Sequence, residues 1–280
     1  MNTLSENSPR DSLVFVKLGG SLITDKTQPE TVRTGVVQRL ADELTAASSG
    51  ERRGGLILGH GSGSYGHAAA KRHGFDRLGD SKIGPAAISA VQDAAARLHR
   101  QVIAVLMASG ASPFSIAAGS VLVARSGQPK SIDCDLLEGV LRSGCLPVAY
   151  GDIVVDRDGT ASILSTEVLF LVMIRRLLEA GRRIDEVLWL GETEGILDSS
   201  GRLVREIDSE SGLELMDTVG GAAGLDVTGG MRHRLESALQ LARLGVASRV
   251  ADGRVPGLLS AALSGEVVGG TVILPALETR

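Results

Sequence analysis

The chain has 280 residues, 43% of them hydrophobic and 22% charged, enough to bury a full core in one large domain or two closely joined lobes. A net charge of −4, with no Lys/Arg run longer than a pair, excludes the basic footprint of a nucleic-acid binder and favours small-molecule chemistry. The two cysteines, Cys134 and Cys145, lack CxxC spacing and a neighbouring histidine cluster, which argues against a zinc site or disulfide framework and for a reducing cytoplasm.

Residues 1–12 are polar and carry no apolar run, so they read as a loose, disordered tail rather than a signal peptide. Leu13 to Leu18 (LVFVKL) is a buried-strand pattern, and the glycine turn Gly19-Gly20-Ser21 follows directly. Lys17 closes the strand and Lys26 comes after the turn. Lysine is scarce here, five against twenty-four arginines, so two in one segment point to a need for compact ammonium groups. Such a pair beside a glycine loop suits a transferring phosphoryl group, whose oxygens carry charge to be neutralised. Two solvated lysines at an ordinary loop are the plain alternative.

Thr34 to Ser49 has apolar residues at 36, 37, 40, 41 and 44, one face of a helix begun by a threonine cap. The next stretch, Gly55 to Gly74 (GLILGHGSGSYGHAAAKRHG), reads as buried strand, tight loop and helix, and the rest of the chain is arranged around it. Glycine allows close backbone approach and a helix start favours anions, so a phosphate is the natural guest. Gly61, Gly63 and Gly66 satisfy the dinucleotide fingerprint G-x-G-x-x-G, with Asp80 at a tolerable distance for a ribose. A P-loop fails, because His67 and Ala68 stand where Lys and Ser/Thr are required. A phosphate cradle of another kind, with His67 as a donor at its rim, is the third reading, and a structural strand-to-helix turn the fourth.

Ile83 to Ala108 continues as a helix with a small inner face of alanines at 86, 87, 90 and 94, mainly core but with room for an apolar ligand at its first turns. Val102 to Ala124 is uncharged and long enough for a bilayer, yet Gly110, Pro113 and several serines break it into helix end, turn and strand. Ile132 to Gly144 is a short helix and Leu146 to Tyr150 a strand. Asp152 to Leu164 forms a hairpin turned by Asp158-Gly159, and Ser165-Thr166-Glu167 caps a long helix to Glu179. Strands follow at 187–190, ending in Gly191-Glu192-Thr193-Glu194-Gly195, at 247–250 and at 270–274. Asp226 to Met231 opens a helix carrying Arg232 and Arg234, and Pro256 starts another at its favoured first position. Alternating helices and apolar strands predict a mainly parallel sheet between helix layers, with ligands at the strands' carboxyl ends.

KLGGSLITDK, HGSGSYGH, GDIVVD, GETEGIL, DVTGGMRHR and the closing GTVIL, in this order, resemble the amino acid kinase superfamily, and within it the isopentenyl phosphate kinases. The similarity runs from Leu13 to Leu274. It implies a three-layer αβα sandwich, α/β in class, with an acceptor-binding lobe over 13–184 and a nucleotide lobe over 185–280 sharing one continuous sheet. The same likeness implies a homodimer using ATP with nucleotide-borne Mg2+, no protein metal site, and no nucleic-acid or membrane partner. Carried over, Lys17 contacts the transferring phosphoryl, Lys26 stabilises the transition state, and His67 hydrogen-bonds the acceptor's phosphate. Gly19, Gly20, Ser21 and Gly63 supply amides to the nucleotide phosphates, and Asp152 helps position the lysines. Gly191, Glu192 and Gly195 match the nucleotide loop; Gly229, Gly230 and Arg234 match the turn over the ATP phosphates.

Several positions depart from the family pattern. Ser62 replaces a glycine of HGGG, Leu164-Ser165-Thr166-Glu167 stands for SGDD, Arg234 replaces a lysine, and Glu192 and Glu194 replace aspartates. Ser62 and Ser165 border the acceptor's phosphate in the family, so they bear on substrate identity. The expected activity is phosphorylation of isopentenyl phosphate. Phosphorylation of a carboxylate or phosphonate, a catalytically silent nucleotide sensor, and a nicotinamide oxidoreductase are the alternatives.

Overall fold

A computed structural model describes residues 12–48, 55–75, 83–125, 128–219 and 229–276. Strand β1 (Ser12–Leu18) is buried along its whole length, and its side chains divide between two apolar clusters: Leu13 and Phe15 join one, Val14, Val16 and Leu18 the other. Because successive strand residues face opposite ways, that division means helices cover both faces of the sheet. The short α1 (Gly20–Ile23) precedes α2 (Thr34–Ser48), which buries Val37, Leu40, Ala41 and Leu44 as its pattern requires. Thr34 is the first helical residue rather than the cap, since the Arg33 carbonyl already accepts from the Val36 and Val37 amides.

Strand β2 (Gly55–His60) runs into α3 (Gly63–Arg72), and α4 (Pro85–Ala108) has its proline in the first turn. The uncharged stretch after residue 102 resolves into the end of α4, β3 (Pro113–Ala117), α5 (Ala118–Val121) and the start of β4 (Leu122–Arg125). Among the described residues no helix is long and apolar enough to cross a membrane. Ile132, expected to begin a helix, instead ends β5 (Gln128–Ile132), the antiparallel partner of β4. Asp133 then caps α6 (Cys134–Arg142), its carboxylate accepting from the Asp135 amide at 2.9 Å.

Strand β6 (Leu146–Tyr150) falls where expected, and β7 (Asp152–Val155) pairs antiparallel with β8 (Ala161–Leu164) around the Asp158-Gly159 turn. Helix α7 (Thr166–Glu179) is capped by the Ser165 hydroxyl, which accepts from the Val168 amide at 3.3 Å. Strand β9 (Arg183–Gly191) begins earlier than its apolar run, because Arg183 and Glu186 still hold ladder positions beside β1. The chain continues through β10 (Ile196–Leu197), β11 (Leu203–Val204), β12 (Glu206–Ile207), α8 (Ser209–Val219), α9 (Gly229–Arg243) and β13 (Ser248–Asp252). Residues 1–11 of the expected tail, Asp80, and Asp226, Val227 and Thr228 before α9 lie outside the described residues, while Ser12, counted with the tail, begins β1. After β13 come α10 (Leu258–Leu263) and β14 (Thr271–Ile273). Pro256 does not start α10: Gly257, at a left-handed φ of 79°, sets its start, and the Glu43 carboxylate of α2 accepts from the Gly257 and Leu259 amides at 3.1 and 3.0 Å.

The sheet order is β12-β14-β13-β9-β1-β2-β6-β3. Its pairings are parallel except β13 with β14, so β14 and its parallel neighbour β12 run against the rest. Helices α6, α7 and α9 pack on one face and α2, α3, α4 and α10 on the other, giving the expected three-layer αβα sandwich. The carboxyl ends of β1, β2, β6 and β9 lie side by side, and the loops that follow them gather at one edge.

Candidate functional site

The two glycine turns form one unit. A Cβ on Gly20 would lie 2.6 Å from the Gly63 nitrogen, and one on Gly63, at φ +50°, would lie 2.2 Å from Thr24 Oγ1. No larger residue fits either place. Thr24 locks the contact: its hydroxyl donates to the Gly20 carbonyl at 2.6 Å and accepts from the Ser64 amide at 2.9 Å. The Ser62 and Gly63 amides at the start of α3, and those of Gly20 and Ser21 in α1, have no intrahelical partner, which suits an anion.

Lys17, next to the last residue of β1, is 5% exposed, with Nζ 2.5 Å from Oε1 of Glu167. Burial pushes the lysine's pKa down; Glu167 opposes that shift, while the positive charges of Arg234 and Lys26 add to it. Burial also pushes the Glu167 carboxyl up, but Lys17 and Arg234 more than reverse this and hold it below its ordinary value. The sequence presented Glu167 only as part of a helix cap. The signal it carried was its place at the strand-to-helix turn after β8, where the family pattern also puts a carboxylate.

Asp152, expected to position the lysines, faces elsewhere. Its carboxylate accepts from the Ile153 amide at 2.8 Å, the Gly119 amide at 3.4 Å and the Gln92 side chain, toward α4 and α5. Burial raises its pKa. Glu167 is the carboxylate that holds Lys17.

Lys26 is exposed on a loop closed at its base by a Thr24–Val32 bridge. An Asx turn presents it: Asp25 Oδ1 accepts from the Thr27 amide and hydroxyl at 2.8 and 2.7 Å. Three tethers fix the loop. Thr31 N–H donates to Ser64 Oγ at 3.4 Å, Glu30 pairs with Arg97 of α4, and Arg33 pairs with Glu192 beyond β9. His67 stands on α3 with its ring reaching solvent; burial first, and then the charge of Lys26, lower its pKa. Lys17, Lys26 and His67 therefore share one electrostatic neighbourhood.

Arg234 completes the cluster. It is 8% exposed on α9; a Cβ on Gly191 would lie 2.9 Å from its Nη1, and one on Gly19 3.8 Å from its Nη2. Its Nε has no hydrogen-bond partner among the described residues, and burial pushes its pKa down against the pull of Glu167. A buried guanidinium with an unmet donor, set against two glycine backbones, is built to receive an anion.

The other expected residues divide by role. Gly229 and Gly230 open α9, the helix that carries Arg234. Glu192 is engaged with Arg33, and Gly195 is a close-packing position, where a Cβ would lie 2.5 Å from Leu203 and 2.6 Å from Thr271 Oγ1. Ser62 folds over Gly66, with Oγ 2.1 Å from where a Cβ on that glycine would be, while the Ser165 hydroxyl serves the α7 cap. Among the described residues no three His, Cys, Asp or Glu side chains group to hold a metal ion.

The sequence pattern described as the amino acid kinase family matches residues 12–252. The isopentenyl phosphate kinase of Haloferax volcanii is 31% identical over 262 residues, spanning 94% of this chain and 98% of that one. That of Methanothermobacter thermautotrophicus is 29% identical over 93% of this chain and 98% of its own. A solved structure described as isopentenyl phosphate kinase superposes with a TM-score of 0.76 at 26% identity, covering 93% of this chain and 100% of that one.

Proposed function

The chain belongs to the amino acid kinase family and, within it, to the isopentenyl phosphate kinases, and from that premise we propose that it converts isopentenyl phosphate and ATP to isopentenyl diphosphate and ADP. One observation supports the reading: two glycine turns pack backbone to backbone, Arg234 lies against Gly19 and Gly191, and the charge of Lys26 is felt at both Lys17 and His67. An oxygen of the acceptor's phosphate attacks the γ-phosphorus, and the bond from that phosphorus to the β,γ-bridging oxygen breaks. The nucleophile is already an anion, so no general base is needed. What opposes the reaction is repulsion between two phosphates, and positioned cations relieve it.

In this reading Lys17, held by Glu167, meets the transferring phosphoryl, and Lys26 meets the charge that grows as the bridging bond breaks. His67 donates to the acceptor's phosphate. Arg234 and the amides of Gly20, Ser21 and Gly63 hold the nucleotide phosphates, with magnesium entering on the nucleotide; the Gly19 amide, expected to join them, is instead given to the Leu190 carbonyl at 2.8 Å. Strands β1, β2, β3 and β6 would support the acceptor lobe, and β9, β12, β13 and β14 the nucleotide lobe, within the one sheet. We also infer a homodimer, from the family, and a cytoplasmic setting, from two cysteines that are both free.

Lys17, Lys26 and His67, all at the positions the family pattern gives them, speak against a silent sensor, and a carboxylate acceptor would leave His67 without a purpose. A coupled ADP-release assay across isopentenyl phosphate, dimethylallyl phosphate, glutamate derivatives and fosfomycin tests the reading. The prenyl phosphates should be preferred, and preference for a carboxylate overturns it.

A further inference from the structure

Behind the glycine cradle lies a group of polar residues that the proposed chemistry does not use. His60, the last residue of β2, is fully buried, and its Nδ1 sits 3.1 Å from the Gly61 carbonyl oxygen. Its Nε2 is 3.0 Å from Nδ1 of His99 on α4, itself 3% exposed, and His99 Nε2 is 2.8 Å from the Ser115 hydroxyl on β3. The rings stack with Tyr150, the His99 and Tyr150 centroids being 4.1 Å apart. Two further bonds pin the His60 backbone, whose carbonyl accepts from Thr166 Oγ1 at 2.7 Å and the Gly151 amide at 3.2 Å.

Elementary chemistry fixes every proton in this chain. A carbonyl oxygen only accepts, so His60 Nδ1 carries a hydrogen. Burial drives His60 down to about 4 and His99 to about 3, so both rings are neutral at pH 7. His60 Nε2 is then bare and accepts from Nδ1–H of His99, whose bare Nε2 accepts from Ser115. The consequence reaches the cradle through one peptide plane. In a trans peptide the C=O and the following N–H point opposite ways, and no cis bond occurs among the described residues. Holding the Gly61 carbonyl toward His60 therefore turns the Ser62 N–H away from it, among the unpaired amides of the phosphate cradle.

We propose that His60, His99 and Ser115 are positioning residues: a one-way hydrogen-bond chain from β3 through α4 clamps the Gly61–Ser62 peptide so that the Ser62 amide is presented to a phosphate. The proposal rests on the phosphate-acceptor reading of the cradle, but its first test does not. Long-range 15N–1H correlation spectra of the ligand-free protein, labelled at histidine, should show His60 and His99 both as the Nδ1–H tautomer from pH 6 to 8, the minor form in free histidine. An Nε2–H tautomer at His60 overturns the chain whatever the substrate.

The second test uses Ser115, which lies exposed on the edge strand, so that its substitution spares the core. Ser115→Ala should raise KM for isopentenyl phosphate about three- to tenfold with kcat and thermal midpoint little changed, and Ser115→Thr, which keeps the hydroxyl, should restore it. An unchanged KM, or a change confined to the midpoint, overturns the positioning role. Failure of the wild-type protein to phosphorylate isopentenyl phosphate at all would instead count against the functional reading and leave the tautomer result standing.

Discussion

Glu167→Gln isolates the contribution of charge at the buried Lys17 pair. Both side chains are nearly sequestered, at 6% and 8% exposure, so removing one charge leaves the other uncompensated in a low-dielectric site. Breaking such a pair costs about 3–5 kcal/mol. Glutamine still offers an oxygen to Lys17 Nζ, which places the expected loss near the lower figure, about 3 kcal/mol. That loss falls on the charged form of Lys17 alone. Its pKa, already lowered by burial, should therefore drop further. Two assays read the two consequences. Urea unfolding at pH 7 should show the destabilisation, and the alkaline fall of kcat should move to lower pH as Lys17 loses its proton earlier. An alkaline limb unmoved by the substitution would refute the assignment of Lys17's charge to Glu167.

His67→Ala should lower kcat/KM for isopentenyl phosphate by about 10²-fold, the range for a lost electrostatic donor, whereas near-normal turnover would make the histidine structural. Stability should also fall on acidification through the buried histidine pair. Their folded pKa values, about 4 and about 3, lie below the unfolded 6.5, so between those limits the unfolded chain binds more protons and stability rises with pH. Going from pH 7 to 5 should cost about 2 kcal/mol per ring, and a urea midpoint no less pH-sensitive in a His60→Phe, His99→Phe variant would refute this. Gly20→Ala drives a methyl group to within 2.6 Å of the Gly63 nitrogen and should abolish turnover. Gly35→Ala, with nothing within 4 Å in the first turn of α2, should instead raise stability by about 0.5–1 kcal/mol, as denaturant titration of both variants will show.

Much of the fold was legible because its signals are local. The run LVFVKL read as a buried strand, and the structure sends its alternate residues into two separate clusters. Asp158-Gly159 marked its hairpin and Ser165 its helix, both being chemistry within a few residues of the chain. The misreadings arose where a distant residue decides. Pro256 has every local mark of a helix start, yet Glu43, more than two hundred positions away, binds the amides of the true first turn. Ile132 suits a helix until β4 pairs with it.

The same division runs through the site. Lys17, Lys26, His67 and Arg234 could be singled out because cations beside glycine turns are unusual in any sequence, whereas the residues that aim them are chemically ordinary and acquire meaning only through contact. Glu167 passed for a capping residue, and His60 drew no role of its own. The distinction has an energetic basis. Lys17 and Arg234 are both buried, both have lowered pKa values, and Glu167 is the carboxylate whose charge opposes the shift in each, so among the described residues two buried cations share one buried carboxylate. Such an arrangement costs folding stability until an anion arrives, and it persists only where surrounding structure enforces it. Enforcement here is distributed: Glu167 from α7, the Glu30–Arg97 and Arg33–Glu192 tethers on the Lys26 loop, and the histidine chain behind Gly61. Each joins segments far apart in sequence, so the groups that meet phosphate can be read from the chain, and the framework that holds them ready emerges only when it folds.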